Sequence, residues 1–298
     1  MKGVGFRGNP ALFSSFFLFF LYYFVLLQGY FSTILMKKYC KDLVVKSVEH
    51  ISAKNVLIRL TQADPLPEIL PGQFVEIRVD HSPATFLRRP ISIHFVDREA
   101  NELWLMVAVV GEGTRQLATL REGDALNIVF PLGNGFTVSS GQSADATPLR
   151  CLLVGGGVGI APLLELGKVL SASCHEVTYV LGGRTADDLQ GTDVYNRYGR
   201  VYYTTEDGSL GDKGFVTQHS LLAEEHFDRI YTCGPKPMMV AVAHYAREVN
   251  TWCEASLENL MACGLGACLC CVEKTRKGNL CVCKEGPVFN IDRLLWLS

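Results

Sequence analysis

The chain has 298 residues, enough to bury more than one hydrophobic core, and 28 basic against 30 acidic residues leave a formal net charge of -2. That balance implies no strongly basic surface and argues against nucleic acid as a partner. The 11 cysteines are odd in number and crowd towards the C-terminus, which suits metal binding in a reducing compartment such as the cytoplasm better than a secreted disulfide framework.

The first element is apolar. No charged residue falls between Gly8 and Met36, and residues 11–27 (ALFSSFFLFFLYYFVLL) are long enough to span a bilayer, with Lys2 and Arg7 before and Lys37 and Lys38 after. Two readings stay open: a membrane anchor or uncleaved signal, or a start codon placed too early, with Met36 as the natural beginning. On either reading residues 1–36 form a hydrophobic leader outside the fold, and a membrane is a partner only if residues 11–27 insert.

Residues 42–135 read as all-β, within a domain of 37–142. LVVKSVEHIS, NVLIRLT, QFVEIRV, ISIHFVD, ELWLMVAVV and ALNIVF are β-rich runs, punctuated by LPGQ (70–73), REAN (98–101) and REGD (121–124). Their close spacing, with one short helical stretch at 113–120, suggests a small antiparallel barrel; periodicity alone leaves a sandwich open. In LRRPISI, Arg89 stands three residues before Ser92, a spacing that can hold a pyrophosphate and a flavin ring, although either Arg88 or Arg89 could equally be a surface charge. VVGEGT supplies Gly111, Gly113 and Thr114 at a helix start, a second phosphate candidate.

A small, polar stretch at 139–148 marks a linker. Strands and helices then alternate, predicting a doubly wound α/β domain over 143–250. Helices are expected in APLLELGKVLSA, DDLQGTDVYNRYG, GFVTQHSLLAEE and KPMMVAVAHYAREV. LLVGGGVGIAPLLEL joins a buried strand to a helix through Gly156, Gly157 and Gly159, with Pro162 suited to the first helical turn; such a loop admits phosphate to the backbone. YTCGPKPMM ends the last strand of this domain with Cys233, Gly234 and Pro235, where ligands of such sheets sit; Cys233 could equally be a small buried residue. Glu206 and Asp207, at another strand end, are either ribose ligands that disfavour a 2′-phosphate or a solvated turn, so NAD and NADP both stay open.

Residues 251–298 show little regular pattern and carry the cysteines. Cys263, Cys268 and Cys271 form C-x4-C-x2-C, and Cys283 follows after the turn-like EKTRKGN (273–279). This is the plant-ferredoxin spacing for a [2Fe–2S] cluster, three ligands on one loop and a fourth returning by a hairpin. The glycines of GLGA let backbone N–H groups approach the sulfurs. Zinc is the alternative, but zinc ribbons pair two short knuckles, which the five-residue first step does not match. Cys270 and Cys281 have no evident role.

Taken in order, RRPIS and GEGT on a barrel, GGGVGIAP and CGP on an α/β domain, and a terminal CGLGACLCC…C resemble the ferredoxin-reductase superfamily. More narrowly, residues 37–298 resemble the electron-transfer subunits of the NAD-dependent (class 1B) dihydroorotate dehydrogenases. The resemblance implies an α+β multidomain protein: an antiparallel β-barrel FAD domain, a doubly wound α/β nucleotide domain and a small C-terminal [2Fe–2S] domain. By similarity FAD binds at Arg89, Pro90, Ile91, Ser92, Met106, Val107, Ala108, Gly113 and Thr114. NAD binds at Gly156, Gly157, Gly159, Pro162, Cys233, Gly234 and Pro235, with Cys233 near the flavin and nicotinamide. The cluster ligands match Cys263, Cys268, Cys271 and Cys283. Related chains often carry an aromatic–arginine pair where Val107 and Ala108 stand.

The implied activity is an electron relay for pyrimidine biosynthesis. An FMN-containing partner subunit oxidises dihydroorotate, and electrons reach NAD+ by way of the cluster and FAD, in a heterotetramer of two copies of each subunit. No base for dihydroorotate chemistry is evident, so the chain alone is expected to act as a diaphorase. The rival is a subunit of an NAD(P)H-dependent ferredoxin or sulfide oxidoreductase; those relatives typically carry aspartate where Cys263 stands. A third reading, a zinc protein with empty nucleotide loops, would be colourless when purified.

Overall fold

Alternation builds the first sheet. In β1 (Tyr39–His50), Leu43 and Val45 are buried while Asp42, Val44 and Lys46 face out, the two-residue period of a strand with one wet face. It joins β2 (Asn55–Thr61), β3 (Phe74–Ile77), β4 (Arg89–Asp97), β5 (Glu102–Ala108) and β6 (Ala125–Leu132) in a closed antiparallel barrel of order β1-β2-β5-β4-β3-β6. Pairing of β1 with β6, from Tyr39↔Phe130 to Val44↔Ala125, closes it, so the barrel reading holds over the sandwich. The short helix α1 (Glu112–Leu117) follows β5. These statements come from a computed structural model that describes residues 37–138 and 147–297; the leader, and 139–146 of the expected linker, lie outside the described residues. Among the described residues no helix is long and apolar enough to cross a membrane.

The second sheet has seven strands in the order β10-β9-β8-β7-β11-β12-β15. They are β7 (Arg150–Gly156), β8 (Glu176–Gly183), β9 (Arg200–Thr205), β10 (Asp212–Lys213), β11 (Arg229–Cys233), β12 (Trp252–Ser256) and β15 (Val288–Asn290). All neighbours run parallel except β12 and β15. Helices α2 (Ala161–Ala172) and α4 (Lys236–Glu248) form as expected. The other two expected helices do not. The stretch at 186–197 is a pair of 3-10 turns broken by Gly191 at φ 76, and 216–224 is a 3-10 turn plus the single-turn α3 (Leu221–Glu224), separated by extended His219.

The sheet also runs past residue 250. β12 continues it with Cys253 and Ala255 wholly buried, and its Glu254 carboxylate accepts from the N–H and Oγ1 of Thr137, each at 2.8 Å. β13 (Val272–Thr275) and β14 (Gly278–Cys281) form the expected hairpin around Arg276 and Lys277, leading to the one-turn α5 (Val282–Glu285). Cys271 and Cys283 share a hydrophobic core with Phe74 and Leu132 of the barrel and Phe289 of β15, which anchors the tail to both domains.

One clamp ties strand β4 to the glycine-loop helix α2. His94 Nδ1 donates to Ala161 O at 2.9 Å, the Val96 N–H donates to Glu165 Oε2 at 2.9 Å, and Lys168 Nζ donates to Val96 O at 2.6 Å. Burial lowers the His94 pKa from its ordinary 6.5 to about 4, against the pull of Ala161 O. Between those values the unfolded chain binds a proton that the folded chain refuses, so folding stability rises with pH there and is lost on acidification. The expected loss from this residue between pH 7 and pH 4 is about 3 kcal/mol. Denaturant melts across that range should show it in the wild type and show a shallower slope in His94→Gln.

Candidate cofactor sites

On the barrel, β4 changes character along its length. Arg89, Pro90, Ile91 and Ser92 are half-buried, whereas Ile93 and Val96 are buried in the barrel core and His94 and Phe95 under α2. The first half thus leaves a groove beside Arg89, which alone of these four residues lines a cavity; Pro90, Ile91 and Ser92 do not. Gly113 lies so close to it that a Cβ there would be 3.0 Å from Thr85 Cγ2 and 3.5 Å from Arg89 Cδ. With Phe86, Leu87 and Val110, these residues line a cavity of about 410 Å³ beside α1. Arg89 donates to the carbonyls of Arg88 and Leu87 at 3.0 and 3.1 Å, which orients its guanidinium. The Thr114 hydroxyl is committed to its own turn, accepting from the N–H groups of Val110 and Gly111 at 3.0 Å each.

Met106 packs against Leu57 and Ala161 where the barrel meets α2, Val107 faces the barrel core, and Ala108 opens on the neighbouring cleft. A cofactor along β5 therefore meets backbone at Val107, whatever the side chain.

That neighbouring cleft, about 780 Å³, opens at the carboxyl ends of β7, β8 and β9, where open α/β sheets hold their ligands. Gly156, Gly157 and Pro235 line it from the nucleotide domain, and Lys54, Asn55 and Ala108 line it from the barrel. Gly159 does not line it but lets two loops touch: a Cβ there would be 2.4 Å from Gly234 Cα. Gly157 (φ 56) and Gly234 (φ 148) both need glycine's freedom. Pro162 is buried in the first turn of α2. Glu206 lines the cleft, whereas the Asp207 carboxylate is taken by the N–H and hydroxyl of Ser209 at 3.0 and 2.7 Å.

Cys233 is wholly buried, and burial drives its thiol well above the ordinary range, so it is a neutral thiol. It points at Glu258 Oε1, 3.9 Å away. The Glu258 carboxyl is solvent-accessible yet ringed by protein, and this partial desolvation raises its pKa.

The four tail cysteines come together as two pairs. Cys263 and Cys268 lie close enough to perturb each other's thiols, as do Cys271 and Cys283, whose N–H donates to Cys271 Sγ at 3.4 Å. Gly266 N–H reaches Cys283 Sγ at 3.0 Å and Leu265 N–H reaches Cys263 Sγ at 3.3 Å, so the first loop already directs backbone donors at sulfur. Burial works to raise the Cys263 thiol, but the N–H groups of Leu265, Cys268 and Ala267 outweigh it and bring the pKa to about 6. Burial, then the neighbouring Cys271 thiol, pushes Cys283 up to about 12. Among the described residues no three His, Cys, Asp or Glu side chains converge as ligands of a single ion. A [2Fe–2S] cluster asks for something else, two thiolates at each of two irons, and the observed pairs fit that demand. Cys270 is exposed.

A family model described as the iron–sulfur cluster binding domain of dihydroorotate dehydrogenase B matches residues 258–295, and one described as an oxidoreductase NAD-binding domain matches residues 153–244. The chain is 39% identical over 241 residues to the dihydroorotate dehydrogenase B (NAD(+)) electron transfer subunit of Lysinibacillus sphaericus, covering 80% of this chain and 91% of that one. Against the Listeria monocytogenes subunit of the same description it is 40% identical over 245 residues, covering 81% and 94%. The chain belongs to the dihydroorotate dehydrogenase B electron transfer subunit family. Among solved structures, one from work on flavin-based electron bifurcation by an NADH-dependent reduced ferredoxin-NADP oxidoreductase superposes with a TM-score of 0.76. It is 31% identical, over 85% of this chain and 90% of that chain.

Within this family member, the sequence reading missed three features of the sites. Glu258 was invisible because its neighbour Cys233 is far away in sequence; only the parallel pairing of β11 with β12 brings them together. Lys54, in what reads as a plain hairpin turn, reaches Asp188 of the nucleotide domain at 2.6 Å on the rim of the cleft. Glu76 reads as an outward residue of β3, yet it is wholly buried beneath the cysteine loop.

Proposed function

We propose that this chain carries electrons from an FMN-containing, dihydroorotate-oxidising partner subunit to NAD+, serving pyrimidine biosynthesis as half of an assembly with two copies of each subunit. The observation that carries the reading is the set of two cysteine pairs, Cys263–Cys268 on the outer loop and Cys271–Cys283 built into the same core as the barrel's Phe74 and Leu132. Nicotinamide exchanges hydride, an iron–sulfur centre single electrons, and a flavin both, so FAD belongs between the other two.

The chain's own residues supply the placement. Arg89 is oriented beside the groove of β4 to hold the pyrophosphate of FAD, and Ser92 lies further along the same strand to meet the flavin ring. Gly113 allows the backbone of α1 to close on the same groove. Gly156, Gly157 and Pro235 floor the cleft that takes the dinucleotide, and Glu206 stands where ribose hydroxyls would be recognised, which favours NAD over NADP. Cys233 keeps an uncharged thiol buried at the strand end, behind the Pro235 that lines that cleft and directed at Glu258. Leu260, Leu265 and Leu269 are exposed around the cluster loop, and Cys268 is exposed among them, an apolar surface that suits docking of the partner.

The structural likeness to an NADH-dependent reduced ferredoxin-NADP oxidoreductase supports a second reading, service to a ferredoxin-linked partner. Cys263 favours the first, because it supplies the fourth thiolate that those relatives lack. Anaerobic co-purification from the source cell separates them. Recovery of an FMN-binding subunit that oxidises dihydroorotate supports the first; a ferredoxin- or sulfide-reducing partner supports the second and overturns the first. The isolated chain should show NADH-dependent dye reduction and no dihydroorotate oxidation.

A further inference from the structure

Strand β3 places Val75 and Ile77 in the barrel core and so turns Phe74 and Glu76 outwards, towards the tail. An outward glutamate normally meets water. Glu76 instead has no exposed surface, and neither carboxyl oxygen has a hydrogen-bond partner. What covers it is the cysteine loop. A Cβ on Gly264 would lie 2.6 Å from Glu76 Cγ and 3.2 Å from Oε1, so the turn directly after Cys263 rests on the carboxyl. Gly264 also holds φ 65, a conformation that favours glycine, and both constraints keep the loop tight on this residue.

The nearest cations do not neutralise it by contact. Arg88 spends its guanidinium on the backbone carbonyls of Glu76 and Asn127 and on Asn127 Oδ1, and Arg89 spends its own on Arg88 and Leu87. Burying an unpaired carboxyl costs free energy that a leucine at the same place would not. Packing therefore gives no reason for it. Its position does: β3 pairs Glu76 with Pro90 of the flavin-type strand, while the side chain touches the loop that carries Cys263. It stands between the two redox sites.

We propose that Glu76 is the residue by which the barrel sets the reduction potential of the iron–sulfur site, its charge at the back of the Cys263–Gly264 turn opposing the added electron. This rests on the cluster assignment made above. Burial lifts the Glu76 pKa to about 7, so the carboxylate is present above that pH, and in a water-excluded setting such a charge beside a redox centre acts over several ångströms with little screening. It is a tuning residue, not a ligand, and the chemistry at the thiolates goes on without it.

The test is an EPR-monitored redox titration of the full chain, prepared anaerobically, at pH 9 so that carboxylate is compared with amide. Iron and sulfide are assayed first; a wild-type chain without them sinks the cluster reading itself, separately from this proposal. Glu76→Gln is expected to load the cluster fully and to ease its reduction by about tenfold, a shift of about 59 mV to less negative potential for one electron. Glu76→Asp, which keeps the charge, should stay near the wild-type value. An unchanged potential in Glu76→Gln overturns the proposal, as does an equal shift in both variants. Loss of iron and sulfide in either variant would assign the carboxyl to building the loop and overturn it too.

Discussion

Replacing Cys263 with alanine should abolish electron delivery from the partner while sparing the chain's own NADH-dependent dye reduction. The thiol pairs explain the split. Removing Cys263 would leave three of the four thiolates that would hold the cluster, with Cys271 and Cys283 untouched in the shared core. The groove of β4 and the cleft above β7 are built by other residues entirely. Altering an outer-shell partner of a metal site typically costs about 10–100-fold, and loss of a ligand should exceed that. Sulfide assay of the purified variant, with both activities measured on the reconstituted complex, checks it. A variant that still delivers electrons from dihydroorotate would remove the tail cysteines from the path.

Gly159→Ala should have the second largest effect, and on the other activity. Its new Cβ would fall 2.4 Å from Gly234 Cα and 2.5 Å from Gly234 N, and backbone cannot swing aside as a flexible side chain can. Relief requires the glycine loop and the strand-end turn to part, and overpacking of this kind costs about 1–3 kcal/mol. Both loops bound the nucleotide cleft, so the strain should appear as a KM for NADH raised about tenfold, since ~1.4 kcal/mol of lost binding is a factor of ten. Equal KM values in Gly159→Ala and the wild type would show that the loops do not need their contact.

The parts of this protein written in short stretches of chain were legible as such. Strand alternation in 42–135, the glycine loop at 155–159 and the cysteine spacing at 263–283 each depend on residues within a few positions of one another. A one-residue change of register would invert the buried face of β1, and a cluster loop needs its ligands at fixed steps; such constraints leave a local trace. The helices that failed to form, at 186–197 and 216–224, were misread for the converse reason. Their apolar residues mimic a helical face, but Gly191 and the extended His219 break the run, and the turns are held by contacts with the sheet.

What the sequence by itself determined, then, was the order of modules and the chemistry each could hold. Only the tertiary structure decided how those modules meet. The pairing of β11 with β12 sets Glu258 beside Cys233, the clamp of α2 on β4 ties the two nucleotide sites together, and the cysteine loop closes over Glu76. Each of these joins residues from strands or loops far apart in the chain. Pattern and spacing report which way a side chain points from its own backbone; they carry no record of what another part of the chain will bring to meet it.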